Sequence, residues 1–578
     1  MVRGGMAGAD HPPGRKVSGF LVAGTALASS LAFLAAANAQ TVPGAVDPGR
    51  IEKRFEQPRI PQSVIEPAVP EGEEQLPPEE AEKIRFTLTA VTLDGATIFP
   101  EAEIGALWAD RLGKEVSLAD MYALVDEITA YYRNKGYILS RAIVPPQRIN
   151  GGIIRIRVVE GHVNDVIIEG EANGRADLFR RWGEQIKASK PLHNSVLERY
   201  SLLANDLPGV KARAVLRPSQ TVQGASDVVF VIEHKYIDGS LTIDNRGTKT
   251  SGPGQYTLGA GINSILGLYE KTQVTWVNTV DREELRYLAV QHDEIVTTEG
   301  TKLTLSGNRS RGQPGHNLRE LDMRSRNITF SAALSHPLLR SRQENLSLAG
   351  SFTARTSQTD QLGSRLNEDR VRVAKIGAAY DYSDAWQGVN QVVVDLHQGL
   401  NILNATDLDY ANKTRDRGRS DFTKLTVDLS RTQQLDAGFA LVGGITGQWS
   451  ATQLLSSEEF GYGGSQYGRA YDSSEITGDN GIAGKLELQF TDRIEDLGFK
   501  YIQPFVFYDY GITQDRAPSN QRGTRMGSSA GIGLRFGLTD HLNGSFEIDK
   551  PLTRPVNANT PTGKGEEPRF FFSISARY

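Results

Sequence analysis

The chain ends in Phe570-Phe571-Phe572-Ser573-Ile574-Ser575-Ala576-Arg577-Tyr578, and these nine residues decide the fold. Phe570, Phe572, Ile574, Ala576 and Tyr578 take every second position, the period of a strand whose two faces meet different media. A final strand that closes on an aromatic belongs at a barrel seam and in the aromatic girdle of a membrane interface. The same beat runs back through Leu542, Gly544, Phe546 and Ile548, through Leu486, Leu488 and Phe490, through Leu425, Val427 and Leu429, and reaches Ile237, Gly239, Leu241 and Ile243, each alternating with polar residues.

Residues 236–578 therefore read as an all-β, sixteen-stranded antiparallel transmembrane barrel. The expected strands lie near 237–246, 255–263, 269–278, 284–293, 300–308, 324–334, 342–354, 370–382, 388–398, 420–430, 437–448, 481–491, 501–511, 526–536, 541–549 and 569–578. Each is close to the ~9–11 residues a tilted strand needs to cross a bilayer. Short connections (294–299, 537–540) contrast with the long 449–480, as when turns face one side of a membrane and loops the other. A soluble sandwich or solenoid also alternates, but a core of that size calls for more large apolar residues on its inner face.

Composition sets outer bounds. The 578 residues hold 64 basic and 69 acidic side chains, a net charge of −5, which excludes a basic nucleic-acid footprint. Without cysteine there are no disulfides, thiolate metal sites or Cys nucleophiles. A mean hydropathy of −0.36 excludes a bundle of membrane helices but not a barrel, whose strands are apolar on alternate residues only. Residues 1–39 read as an export signal: Arg3, Arg15 and Lys16, an uncharged run from Phe20 to Ala36, and a small-x-small cleavage site at Ala37 and Ala39. Residues 40–84, rich in proline and glutamate, read as an extended tether with one short helix expected over 48–57.

Between tether and barrel one unit occurs twice, over 85–161 and 162–235. Val91-Thr-Leu93-Asp-Gly95 returns as Val166-Ile-Ile168-Glu-Gly170, and Gly136 with Arg141-Ala142 returns as Gly209 with Arg213-Ala214. In the first copy Ile104, Leu107, Trp108 and Leu112 predict one helix, and Ser117 with Asp120 opens a second whose apolar face is Met121, Leu124, Ile128 and Tyr131. The order β-α-α-β-β gives a small sheet covered on one face, with an edge free to accept an extended peptide.

Chemistry-bearing residues concentrate near the C-terminus. The long connection contains Tyr467-Gly468-Arg469-Ala470-Tyr471-Asp472, and the thirteenth strand contains Phe507-Tyr508-Asp509-Tyr510-Gly511. Parity sends Tyr508 and Tyr510 to lipid and Phe507, Asp509 and Gly511 to the lumen. A lumenal carboxylate wants a cation, and Arg469 supplies one if the connection folds back into the pore. Gly478-x-x-Gly481-x-x-Gly484-Lys485 has the wrong spacing for a phosphate loop, the nine histidines form no metal-ligand pair, and Gly527-Ser528-Ser529-Ala530-Gly531 opens a strand, not a strand-to-helix elbow. Neither a cofactor nor a metal nor catalysis is expected.

This arrangement resembles the TpsB outer-membrane transporters of two-partner secretion, in the barrel-assembly superfamily. The resemblance implies that the repeats are POTRA domains, that Arg469 is the lumenal-loop arginine meeting Asp509 on the wall, that Gly468, Tyr471, Phe507 and Gly511 frame the pair, and that a helix near residues 48–57 plugs the pore. The sequence departs from the family motif in lacking its valine and in having Ala470 where glycine is customary. The implied function is secretion of a haemolysin- or adhesin-like exoprotein, in the outer membrane of a Gram-negative bacterium with the POTRA units in the periplasm. Implied partners are that cargo, outer-membrane lipid, and the barrel-assembly machinery that would insert a chain ending in Phe570, Phe572 and Tyr578. A barrel-assembly factor would carry a longer POTRA series, and a plain diffusion pore leaves the two units without a task.

Overall fold

The computed structural model describes residues 44–56, 77–172, 176–222, 224–494, 498–516, 523–556 and 565–578. The expected export signal, with Ala37 and Ala39, and much of the tether lie outside them.

Both repeats share one topology. In the first, Ala90–Asp94 pairs parallel with Ile153–Val159, which pairs antiparallel with Arg141–Ile143. In the second, Val163–Gly170 pairs parallel with Ser226–His234, which pairs antiparallel with Val210–Pro218. Gly95 and Gly170 end the first strand of each copy at φ +83° and +96°. A Cβ there would collide with the carbonyl oxygens of Val158 and Ile232, equivalent sites in the two last strands, so both copies require glycine.

The helix Leu118–Asn134 starts at a capping box: Asp120 N donates to Ser117 Oγ at 3.1 Å and Ser117 N to Asp120 Oδ2 at 2.7 Å. Met121, Leu124, Ile128 and Tyr132 are buried, whereas Tyr131 is half-buried and donates its hydroxyl to Glu103. The other helix expected in this copy is broken. Glu101–Ile104 makes one α turn, and 3-10 turns follow at Gly105–Leu107 and Ala109–Arg111. Gly105 and Gly113 weaken the run, and the tighter three-residue turn leaves Leu112 43% exposed. The second copy has two full helices, Ala176–Ala188 and Asn194–Asn205.

From Ile237 the chain forms a closed antiparallel barrel. Asn480–Phe490 and Asp492–Ile494 pair with the same neighbour and make one strand interrupted at Thr491, which gives sixteen. Closure joins strand 1 (Ile237–Asp244) to strand 16 (Arg569–Arg577) from Asp244↔Ser573 to Ser240↔Arg577. Strand 6 (Met323–Arg340) shows why the wall is a membrane wall: Ile328, Phe330 and Leu334 are more than half exposed on the outside, while Ser325, Asn327 and Thr329 are buried within. Strand 6, strand 7 (Glu344–Gln361) and strand 8 (Ser364–Ser383) run 18, 18 and 20 residues, well beyond the stretches expected. In strands 7 and 8 the added ends, 355–361 and 364–369, are mostly polar, so an apolar alternation stops marking them before the hydrogen bonds end; in strand 6 the addition is 335–340, where Ser335, His336 and Pro337 interrupt the beat before Leu338 and Leu339.

The second repeat docks on one end of the barrel. Trp182 Nε1 donates to Thr298 O at 2.7 Å in the turn after strand 4 (Arg286–Ile295), and Arg340 forks onto Asp206 with two 2.8 Å bonds. Tyr269, in the turn before strand 3 (Lys271–Thr279), is buried against Phe179 in the core of the repeat.

Candidate functional site: the loop held in the lumen

The connection between strand 11 (Phe439–Ser450) and strand 12 (480–494) turns back into the barrel as a short hairpin, Phe460–Tyr462 paired with Ile476–Gly478. Arg469 lies at the bend between its arms. Its Nε donates to Asp509 Oδ2 at 3.1 Å and its Nη2 to Asp509 Oδ1 at 3.0 Å; the backbone N–H groups of Gly468 and Arg469 add bonds of 3.1 and 3.0 Å to Oδ2. Asp509, on strand 13 (Phe499–Gln514), is wholly excluded from solvent, and Arg469 is 5% exposed. The guanidinium carbon sits 3.5 Å from the Phe507 ring centroid.

Burial alone would lower the Arg469 pKa, but the Asp509 and Glu487 carboxylates outweigh it and hold it above its ordinary value. Glu487 is the partner that the sequence reading did not name. It pairs with Arg469 and, at 2.7 Å, with Arg535. Its signal was available in strand 12, where Leu486 and Leu488 face out and parity sends Glu487 inward.

Tyr462 is a second unread residue. Its ring fills the space where Gly468 and Gly511 lack side chains; a Cβ on Gly468 would stand 2.7 Å from it, and one on Gly511 would overlap it. Gly468 takes φ +78° while Ala470 keeps an ordinary φ, so alanine at that position costs the loop backbone nothing. Tyr471 donates its hydroxyl to Ser528 O at 3.0 Å. Both strands of the seam also grip the bend: Arg246, just past strand 1, donates to Arg469 O at 3.2 Å, and Arg569 of strand 16 donates to Ala470 O at 2.9 Å and Asp472 at 2.7 Å. At the C-terminal strand Phe570 and Tyr578 are exposed outward and Phe572 is half-buried.

A second element shares the lumen. Residues 48–50 form a 3-10 turn capped by Asp47, whose Oδ1 accepts from Gly49 N at 2.8 Å, and Ile51–Phe55 forms a short helix. Ile51 and Phe55 pack on Val277, Leu285 and Tyr287. Arg50 donates to Ser456 O at 2.8 Å and reaches Glu459 at 3.3 Å, and Glu52 meets Arg355 at 3.5 Å. Of the stretch expected to be helical, residue 57 lies outside the described part.

A family profile described as "Haemolysin secretion/activation protein ShlB/FhaC/HecB" matches residues 224–535, more than half of the chain. The chain belongs to the ShlB/FhaC/HecB family. A second profile, "POTRA domain, ShlB-type", matches residues 86–161. Among relatives of this ShlB/FhaC/HecB member, the heme/hemopexin transporter protein HuxB of Haemophilus influenzae is 24% identical over 92% of this chain and 95% of its own length. The outer membrane transporter CdiB of Dickeya dadantii is 23% identical over 70% and 72%. The solved structure of CdiB from Escherichia coli superposes with a TM-score of 0.67 at 21% identity, covering 96% of this chain and 97% of that one. The protein is thus a two-partner-secretion transporter of the outer membrane, with POTRA architecture in the periplasm below a sixteen-stranded barrel.

Proposed function

We propose that this transporter passes one unfolded, haemolysin- or adhesin-like exoprotein outward through the barrel, with the Arg469 loop as a fixed lumenal support and the helix Ile51–Phe55 as the plug that withdraws. Val163–Gly170 and Val210–Pro218 each pair on one side only within their sheet, which leaves backbone groups to bind a cargo segment as an added strand. Folding of the cargo outside supplies direction where no nucleotide is available. The C-terminal strand with Phe570, Phe572 and Tyr578 would be the part read by the barrel-assembly machinery when the chain is inserted.

The observation that carries this reading is the fully buried fork of Arg469 on Asp509, which holds a long loop inside a pore. The test is export of the partner by Arg469→Ala and Asp509→Ala variants whose barrels still insert and shift on heating in gel electrophoresis. Lowered secretion in both is expected; unchanged secretion in both removes the loop from the mechanism.

A further inference from the structure

The end of the barrel away from the docked POTRA repeat carries a row of arginines on its outer wall. In strand 4 the outward positions are Arg286, Leu288 and Val290; in strand 5 (Lys302–Gly312) they are Arg311, Arg309 and Leu305; in strand 6 they are Arg326, Ile328 and Phe330. Register sets Arg286 directly opposite Arg311, and Arg311 directly opposite Arg326. Arg309 falls one row lower, between Leu288 and Ile328.

Like charges facing each other across strands are destabilising, and among the described residues only the charge of Asp360, acting on Arg326, partly offsets them. Among the described residues the guanidinium groups of Arg309, Arg311 and Arg326 have no carboxylate within ion-pair distance, and Arg286 donates only to its neighbour's backbone, at Arg282 O. Asp360 of strand 7, the outward carboxylate beside this patch, is held by Arg365 at 2.8 Å and acts on Arg326 only from beyond ion-pair distance. Arg324, further out, has Asp322 at 3.5 Å.

The height of the row names its ligand. Below Arg326 the outward residues Ile328, Phe330, Leu334 and Leu338 are apolar and exposed, and the span 328–338 matches the ~9–11 residues of a tilted crossing. Trp276, opposite Leu288, packs edge-on against Tyr256 at 5.6 Å, an aromatic pair at the same level. The arginines therefore stand at the outer headgroup plane with acyl-chain surface directly beneath them. A guanidinium forks onto a phosphate in the geometry it uses for a carboxylate.

We infer that the outward row Arg286, Arg311 and Arg326, with Arg309 below it, is a docking site for the phosphates of an outer-leaflet phosphoglycolipid of the lipid A class. The inner face of strands 3 and 4 carries Val277 and Tyr287, against which the helix Ile51–Phe55 is seated, so the bound lipid would brace the wall that holds the plug.

The test uses the full-length protein in detergent, titrated with bis-phosphorylated lipid A and with its dephosphorylated form, and read by native mass spectrometry. Wild-type protein should retain the phosphorylated lipid and bind the dephosphorylated one at least about tenfold more weakly, the loss expected for one charge-assisted pair. The triple variant Arg286→Gln/Arg311→Gln/Arg326→Gln should lose that preference while keeping its heat-modifiable barrel. Equal retention by wild type and variant overturns the proposal, as does displacement of the lipid by heparin at lower concentration than by free lipid A, which would make the row a site for soluble polyanions. Should the variant fail to insert, the wild-type preference for phosphate decides alone, and its absence rejects the site.

Discussion

Two pieces of chain fill one lumen, and they are held in opposite ways. The Arg469 bend is locked by several short bonds to carboxylates that see no water, by two arginines from the seam strands and by a tyrosine ring seated on glycines. The helix Ile51–Phe55 rests on the wall through Ile51 and Phe55; Arg50, in the turn before it, donates to Ser456 O at 2.8 Å, and the ionic partners of Arg50 and Glu52 lie at 3.3 and 3.5 Å. What each would leave behind differs more than the contacts do. Without Arg469, Asp509 loses its only ion-pair partner among the described residues, in a site without solvent. Without the helix, Glu459 keeps Arg415 at 3.1 Å, and Glu458 keeps Lys424 at 2.7 Å and Arg355 at 2.8 Å. Withdrawing the loop strands buried charge; withdrawing the helix strands none. That asymmetry is what the proposed roles require, the loop as a support and the helix as a removable stopper.

The largest effect expected from breaking this contrast is Arg469→Ala, which should cost the barrel about 3–5 kcal/mol because Asp509 is left buried and uncompensated. Urea unfolding in detergent measures it, and Arg469→Lys should not restore the loss, since an ammonium cannot fork onto the carboxylate. Gly511→Ala sharpens the comparison: its Cβ meets the Tyr462 ring, at a cost of about 1–3 kcal/mol. Tyr462→Ala combined with it should show coupling in a double-mutant cycle, the two losses adding to less than their sum.

A smaller effect belongs to the helix. Arg50→Ala should cost less in unfolding than Arg469→Ala, because Glu459 keeps Arg415 at 3.1 Å, while raising the open fraction of single channels in planar bilayers. The smallest concerns acid. Burial alone would raise the Glu458 pKa, but Lys424, Arg355 and Lys53 outweigh it and hold the carboxyl well below its usual 4.5. A depressed carboxylate contributes stability that is complete above its unfolded pKa and fades as pH falls below it. Loop and helix seating should therefore loosen on acidification below about pH 4.5, as seen by protease access to the lumen, and Glu458→Gln should flatten that dependence.

Much of this was legible in the residues. Strand parity alone placed Asp509 and Phe507 inside and Tyr508 and Tyr510 outside, because a period of two leaves no other choice once one face is lipid. The repeat was legible because each copy needs glycine at the same backbone collision. Tyr462 was not, since a ring that fits Gly468 of its own loop and Gly511 and Gly527 on two wall strands leaves no local pattern. The broken helix at 101–112 went unread because apolar spacing is blind to the change from 3.6 to 3 residues per turn. The outer end of strand 6 carries Arg324 and Arg326 outward and that of strand 7 carries Gln358 and Asp360, and an apolar beat ends where the membrane does.

The contrast between support and stopper can be put to one measurement, made clean by the absence of cysteine from the chain. A short bis-maleimide would join Ile51→Cys to Val277→Cys in one variant and Tyr471→Cys to Ser528→Cys in another, with export of the partner followed before and after crosslinking. Export should stop when the helix is tied to the wall and continue when the loop is. Continued export past a tied helix, or a block caused by tying the loop alone, would contradict the account.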